Sequence, residues 1–191
     1  CREDGKKYIY AYWSQPDSLL HKYGCEAEIV KDELAYLEEL IGTMASELED
    51  TLLIITADHG HIDTECVQIT DYPILCNCLE RMPSLEPRVL NLFIKEEKKE
   101  IFEREFTKEF GEKFILMKME EVLERKLFGT GDVHKEFQSM LGNYLAIATG
   151  NLSILCTDLD AKQNFKSLHG SITEDEMMIP LIVFDNGKGG V

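Results

Sequence analysis

Basic residues are scarce in this chain: 20 Lys and Arg stand against 36 Asp and Glu in 191 residues, a formal charge of −16. An excess of that sign repels phosphate backbones, so a nucleic acid polymer is excluded as a partner. The same surplus keeps a protein soluble, and an anionic ligand would need local cations, for which bound metal ions are the natural source. Long apolar runs are missing as well. The longest are strand-sized, so neither a transmembrane span nor a signal peptide is read and no membrane partner is expected. Six cysteines occur without a CxxC pair or a metal-finger spacing. Cys76-Asn77-Cys78 alternates inside an apolar stretch, where small buried thiols are common. A reduced, cytoplasmic protein is expected, and the sequon at Asn151-Leu152-Ser153 is read as chance in that setting. There is no initiating Met. The chain opens Cys1-Arg2-Glu3-Asp4 just before a strand, which reads as the middle of a longer protein with any targeting segment upstream.

Hydrophobic residues make up 44%, enough for a real core in one large domain or two small ones. Tyr8 to Trp13 is a strand candidate, and its Tyr12 and Trp13 are read as core aromatics, with base stacking the alternative. From Glu26 to Asp50 the period is helical, with Val30, Leu34, Leu37, Ile41, Met44 and Leu48 at spacings of three and four. Thr51 to Thr56 is a continuous apolar run, expected as a strand buried on both faces. Strand, helix, strand predicts a right-handed βαβ unit with parallel strands. Ligands of such sheets bind beyond the carboxyl ends of the strands, which puts Asp17 and Asp58 on one edge.

From Pro83 the character changes. Two prolines precede a strand at Val89 to Ile94, followed by a charged helix from Glu97 to Phe110 with Ile101, Phe102, Phe106 and Phe110 on its apolar side. A strand at Phe114 to Met117 and a helix at Glu120 to Leu127 complete a compact α/β unit. Asp132 is expected to cap a helix through Leu141. Tyr144 to Thr149 and Leu152 to Thr157 are expected to form a hairpin around Gly150-Asn151. Thr173 to Glu176 reads as a capping box before a further buried strand, Leu181 to Phe184.

Three short motifs carry the chemistry. Asp17 and His21 are four apart, so a helix opening at Pro16-Asp17 presents both from one face, where they can hold one cation. Asp58-His59-Gly60 follows the second strand, and Gly60 allows the bend that lets both side chains reach a shared ion. His169 precedes the capped turn. Taken singly, each motif is more often a turn or an exposed loop. Together, Asp17, His21 and His169 make an Asp-plus-two-His set that leaves one zinc position open for substrate. His61 is weaker, either an outer-shell partner, a substrate contact or an exposed turn residue, and His134 reads as surface.

The series YIYAYWSQPDSLLHKYG, LLIITADHGH and SLHGSITEDEMMIPLIVF resembles the type I phosphodiesterase and nucleotide pyrophosphatase branch of the alkaline phosphatase superfamily, in the same order and across essentially the whole chain. The resemblance implies an α/β/α sandwich with a mostly parallel sheet, incomplete at its N-terminus. Residues 1–82 and 142–191 would form the metallohydrolase core and 83–141 a small α/β cap. It implies two divalent ions, zinc or alternatively manganese, with Asp17, His21 and His169 on one and Asp58 and His59 on the other. The family completes the second site with an earlier Asp and a Thr or Ser nucleophile, and no residue of this chain matches them. The expected protein is therefore a hydrolase of small phosphate esters in full-length form, partnered by the N-terminal half of the same domain. This piece alone would be inactive. Other readings are a phosphomutase or sulfatase of the same superfamily, or an inert metal-binding fragment.

Overall fold

Residues 5–157 and 162–187 are described by the computed structural model, which is mixed α/β as the sequence predicts. The opening Cys1-Arg2-Glu3-Asp4 lies outside that range. Tyr8 to Trp13 forms no strand with any of the described residues, leaving Tyr8 91% exposed. The expected first strand is absent because β-propensity alone makes no strand without a neighbouring edge to take its hydrogen bonds. Trp13 instead lies over the next long helix, where its indole N–H donates to Glu33 Oε1 at 3.1 Å.

Helix α1 (Asp17–Tyr23) and helix α2 (Glu28–Glu47) fall where the spacing predicts. Of the apolar residues on α2, Val30 and Ala45 are buried, while Leu34 and Met44 stay exposed. Strand β1 (Leu52–Thr56) then pairs antiparallel with the strand at Leu181–Asp185, β10 in chain order. Two expectations are corrected here. No βαβ crossover joins the 8–13 segment to β1, and neither β1 nor β10 is buried on both faces. Ile54 is 56% exposed and Leu181 71%. A two-stranded ribbon has too few neighbours to cover its apolar side chains.

The short strands β2 (Ile62–Asp63) and β3 (Glu65–Gln68) lead to helix α3 (Pro73–Cys78), which places Cys76 and Cys78 on a helix rather than in alternation. Strands β4 (Leu79–Glu86) and β5 (Val89–Ile94), helix α4 (Lys99–Phe110), strand β6 (Phe114–Lys118), helix α5 (Met119–Glu124) and strand β7 (Tyr144–Ala148) build the main sheet. Its order is β4-β5-β7-β6, antiparallel throughout. Both prolines precede β5 as expected, and Pro83 lies inside β4, a strand the sequence reading does not include. That is tolerated on an edge strand whose register shifts between Arg81 and Ser84. Between α5 and β7 the expected helix from Asp132 gives way to turns and one 3₁₀ turn, Gln138–Met140. Strand β8 (Leu152–Leu155) pairs parallel with β3, not with β7, so the Gly150-Asn151 turn joins two sheets instead of closing a hairpin. Among the described residues this is where parallel pairing occurs.

The core sits on both faces of the main sheet. Side chains alternate along a strand, so Tyr144, Ala146 and Ala148 of β7 meet Phe102, Phe106 and Phe110 of α4, while Leu145 and Ile147 meet Met119 and Val122 of α5. The four-residue spacing of the phenylalanines stacks them on one helix face. Ile101, read as part of that face, is 39% exposed.

A buried ion pair joins this sheet to the far end of the chain. Arg88, wholly buried, donates to Glu176 Oε1 at 2.6 Å and Oε2 at 2.8 Å, and to the carbonyls of Gly150 and Leu152. Glu176 also accepts from the Ser171 backbone N–H at 2.9 Å and from the Thr173 hydroxyl. The capping box predicted at Thr173 is thus replaced. Thr173 donates to the glutamate instead of capping the helix Glu174–Met177, because Arg88 already claims that carboxylate.

Candidate metal centre

Asp17 is the first residue of α1, and one turn later His21 faces the same way, with its Nε2 3.4 Å from Asp17 Oδ1. The His21 Nδ1 lies 2.9 Å from the Ser167 carbonyl. A carbonyl can only accept, so Nδ1 carries a proton and Nε2 is the ring atom turned toward the carboxylate.

His59 sits in the loop after β1. Its Nδ1 donates to the Gly60 carbonyl at 3.0 Å, which leaves its Nε2 facing Asp58 Oδ1 at 3.7 Å. Gly60 is required by proximity rather than by a bend. A Cβ there would lie 1.9 Å from the Asp175 carbonyl oxygen, and the Gly60 N–H donates to the Glu176 carbonyl at 2.8 Å. The clasp around Glu176 therefore holds the His59 loop against the segment that carries His169. That segment enters through strand β9 (Ser167–Leu168), paired antiparallel with β2, and leaves through Gly170 at φ +104°. The rings of His59 and His169 stack with centroids 3.6 Å apart, and His169 Nε2 is 3.8 Å from Asp17 Oδ1.

His61 completes the group. Its side chain is 4% exposed, its Nε2 lies 2.9 Å from Asp17 Oδ1 and its Nδ1 3.0 Å from Ser167 Oγ. The sequence ranks this residue among the weaker candidates because its partners Asp17 and Ser167 lie 44 and 106 positions away. Ligand atoms of Asp17, His59, His61 and His169 all lie within 4.8 Å of one another, a set that could hold a metal ion. His21 adjoins this set through Asp17. Asp58 does not join it; the residue is mostly exposed and faces His59, at 3.7 Å. His134 is exposed and its Nδ1 accepts from the Glu136 N–H, as a surface residue does.

The local fields suit a metal site. Burial pushes His169 down to about 4, helped by the nearby imidazoles of His59, His61 and His21 and opposed by Asp17. Burial also lowers His61, against the hydrogen bond to Asp17. Both rings are neutral at pH 7 and keep lone pairs to offer. At Asp17 partial burial acts upward, but the hydrogen bond from His61 and the charges of the three histidines together hold the carboxyl below its ordinary value.

A family model described as type I phosphodiesterase / nucleotide pyrophosphatase matches residues 2–171. The chain belongs to that family. Among solved structures it is similar to murine ectonucleotide pyrophosphatase/phosphodiesterase 5, in an inactive form complexed with AMP, at 17% identity and a TM-score of 0.66, covering 92% of this chain and 47% of that one. The human counterpart is 21% identical with a TM-score of 0.61, covering 90% of this chain and 45% of that one. At such identities the likeness shows a shared fold, alkaline phosphatase-like and represented here by under half the length of those neighbours. No curated protein matches the sequence.

Proposed function

We propose that this chain is the C-terminal half of the catalytic domain of a zinc-dependent phosphodiesterase or nucleotide pyrophosphatase acting on small phosphate esters. The observation that carries the reading is the convergence of imidazole Nε2 atoms from three separate segments on one oxygen, Asp17 Oδ1, at 2.9 to 3.8 Å. Imidazole nitrogens with a carboxylate suit zinc better than magnesium or calcium. Asp17, His21 and His169 would hold one ion, and His59 with Asp58 part of a second. When bound, such a pair of ions supplies Lewis-acid stabilisation of the attacking and leaving oxygens.

The chain's own contribution is to fix the donors. α1 sets Asp17 and His21 one turn apart, the Ser167 carbonyl selects the His21 tautomer, and the Arg88–Glu176 clasp seats the loops of His59 and His169. The earlier Asp that completes the second ion's ligands and the attacking Thr or Ser lie, on this reading, in the N-terminal half of the domain, which would also cover the open faces of β1 and β10. Residues 83–141, with the sheet around them, would serve as a cap.

Activity tests this directly. The purified 191-residue chain should not turn over a nitrophenyl phosphodiester, whereas the full-length protein should, with loss of turnover in His21→Ala and on chelation. Turnover by the isolated chain, or metal-independent turnover by the full-length protein, contradicts the proposal.

A further inference from the structure

We infer that His61 is itself a ligand, making the first metal site of this chain a four-donor Asp17–His21–His61–His169 set selective for a divalent transition metal. The inference rests on the metallohydrolase reading above, adds a residue that the resemblance does not assign, and replaces the open fourth position of the Asp17–His21–His169 set with a site that takes substrate by expanding to five donors. Three features carry it. His61 is nearly inaccessible, so its ring does not serve bulk solvent. Its Nε2 points at the same carboxylate oxygen that His21 and His169 face, at 2.9 Å against their 3.4 and 3.8 Å. In a tetrahedral site with donors about 2.0–2.1 Å from the metal, neighbouring donors sit about 3.3 Å apart, in the middle of that range. Finally, the rings of His21, His61 and His169 form a nearly equilateral triangle, with centroids 4.8, 4.9 and 5.2 Å apart.

An outer-shell role for His61 fits less well. A ring that merely steadied the carboxylate would donate to the oxygen turned away from the other two imidazoles, and His61 donates to the shared one. Ligation requires the Nε2 proton to leave. Ser167 makes that possible without an unpaired nitrogen, since its hydroxyl donates to Nδ1 in one tautomer and accepts from it in the other. The proton that leaves Nε2 thus relocates to Nδ1, and the ring stays neutral.

X-ray absorption on the chain loaded with one equivalent of zinc counts imidazoles. Three are expected in the wild type and two in His61→Gln, whose amide still donates to Asp17 but offers no ligating nitrogen. Two in both proteins overturns the inference while leaving the Asp17–His21–His169 site intact. Three in both also overturns it, assigning the third ring elsewhere. Zinc absent from the wild type overturns this and the metallohydrolase reading together. Should His61→Gln fail to fold, His59→Ala decides: three imidazoles support His61, and two make His59 the third ring.

Discussion

The strands β1 and β5 read almost alike, Leu52-Leu-Ile-Ile-Thr56 and Val89-Leu-Asn-Leu-Phe-Ile94, yet one is half exposed and the other almost wholly buried. β5 lies between β4 and β7, with helices on both faces, so each of its apolar side chains has somewhere to go. Among the described residues β1 has a single partner, β10, and the two leave Leu52, Ile54, Leu181 and Val183 open. An apolar run therefore states a demand for burial, and the number of neighbours decides whether it is met. The metal centre lies along the seam between these two regions, with His59 just after β1 and its loop pinned by the clasp from the buried side.

Breaking the clasp should have the largest effect. Glu176→Ala strands a buried guanidinium, and a loss of about 3–5 kcal/mol is expected in denaturant unfolding. Phe106→Ala, in the wholly buried face of α4, should cost a similar 3–5 kcal/mol through lost packing and a cavity. A loss below 1 kcal/mol at either site would erase the contrast between the regions. The clasp also sets a pH dependence. Burial acts to raise Glu176, but the bonds from Arg88, Thr173 and Ser171 outweigh it and hold the carboxyl below its ordinary 4.5. Its contribution is therefore complete above about pH 4.5 and is lost as pH falls through the lower folded value, because the unfolded chain takes the proton first. Thermal melts between pH 6 and 3 should fall more steeply for the wild type than for Glu176→Gln. Smallest of all should be Ile54→Ser on the exposed ribbon, within about 0.5 kcal/mol. A large loss there would mean that the ribbon is covered in solution.

Legibility in the sequence followed the same divide. The α4 periodicity, β5, β6 and the one-turn spacing of Asp17 and His21 were readable because local pattern and tertiary surroundings agree there. Tyr8 to Trp13 reads as a strand and is not one, since pairing depends on a partner that no local pattern shows. Glu176 looked like a capping residue because its bond to Arg88 spans 88 positions. Gly60 was read as a hinge, yet it answers to the Asp175 carbonyl. His61 has partners 44 and 106 positions away, so no local pattern marks it.

The central claim is that Asp17 and the histidines around it form a site for a divalent cation. Zinc titration by calorimetry measures this most directly. Micromolar or tighter binding to the 191-residue chain, abolished in His21→Ala and His169→Ala, is the predicted result. No heat of binding to the folded wild type, or unchanged binding in both variants, would contradict it.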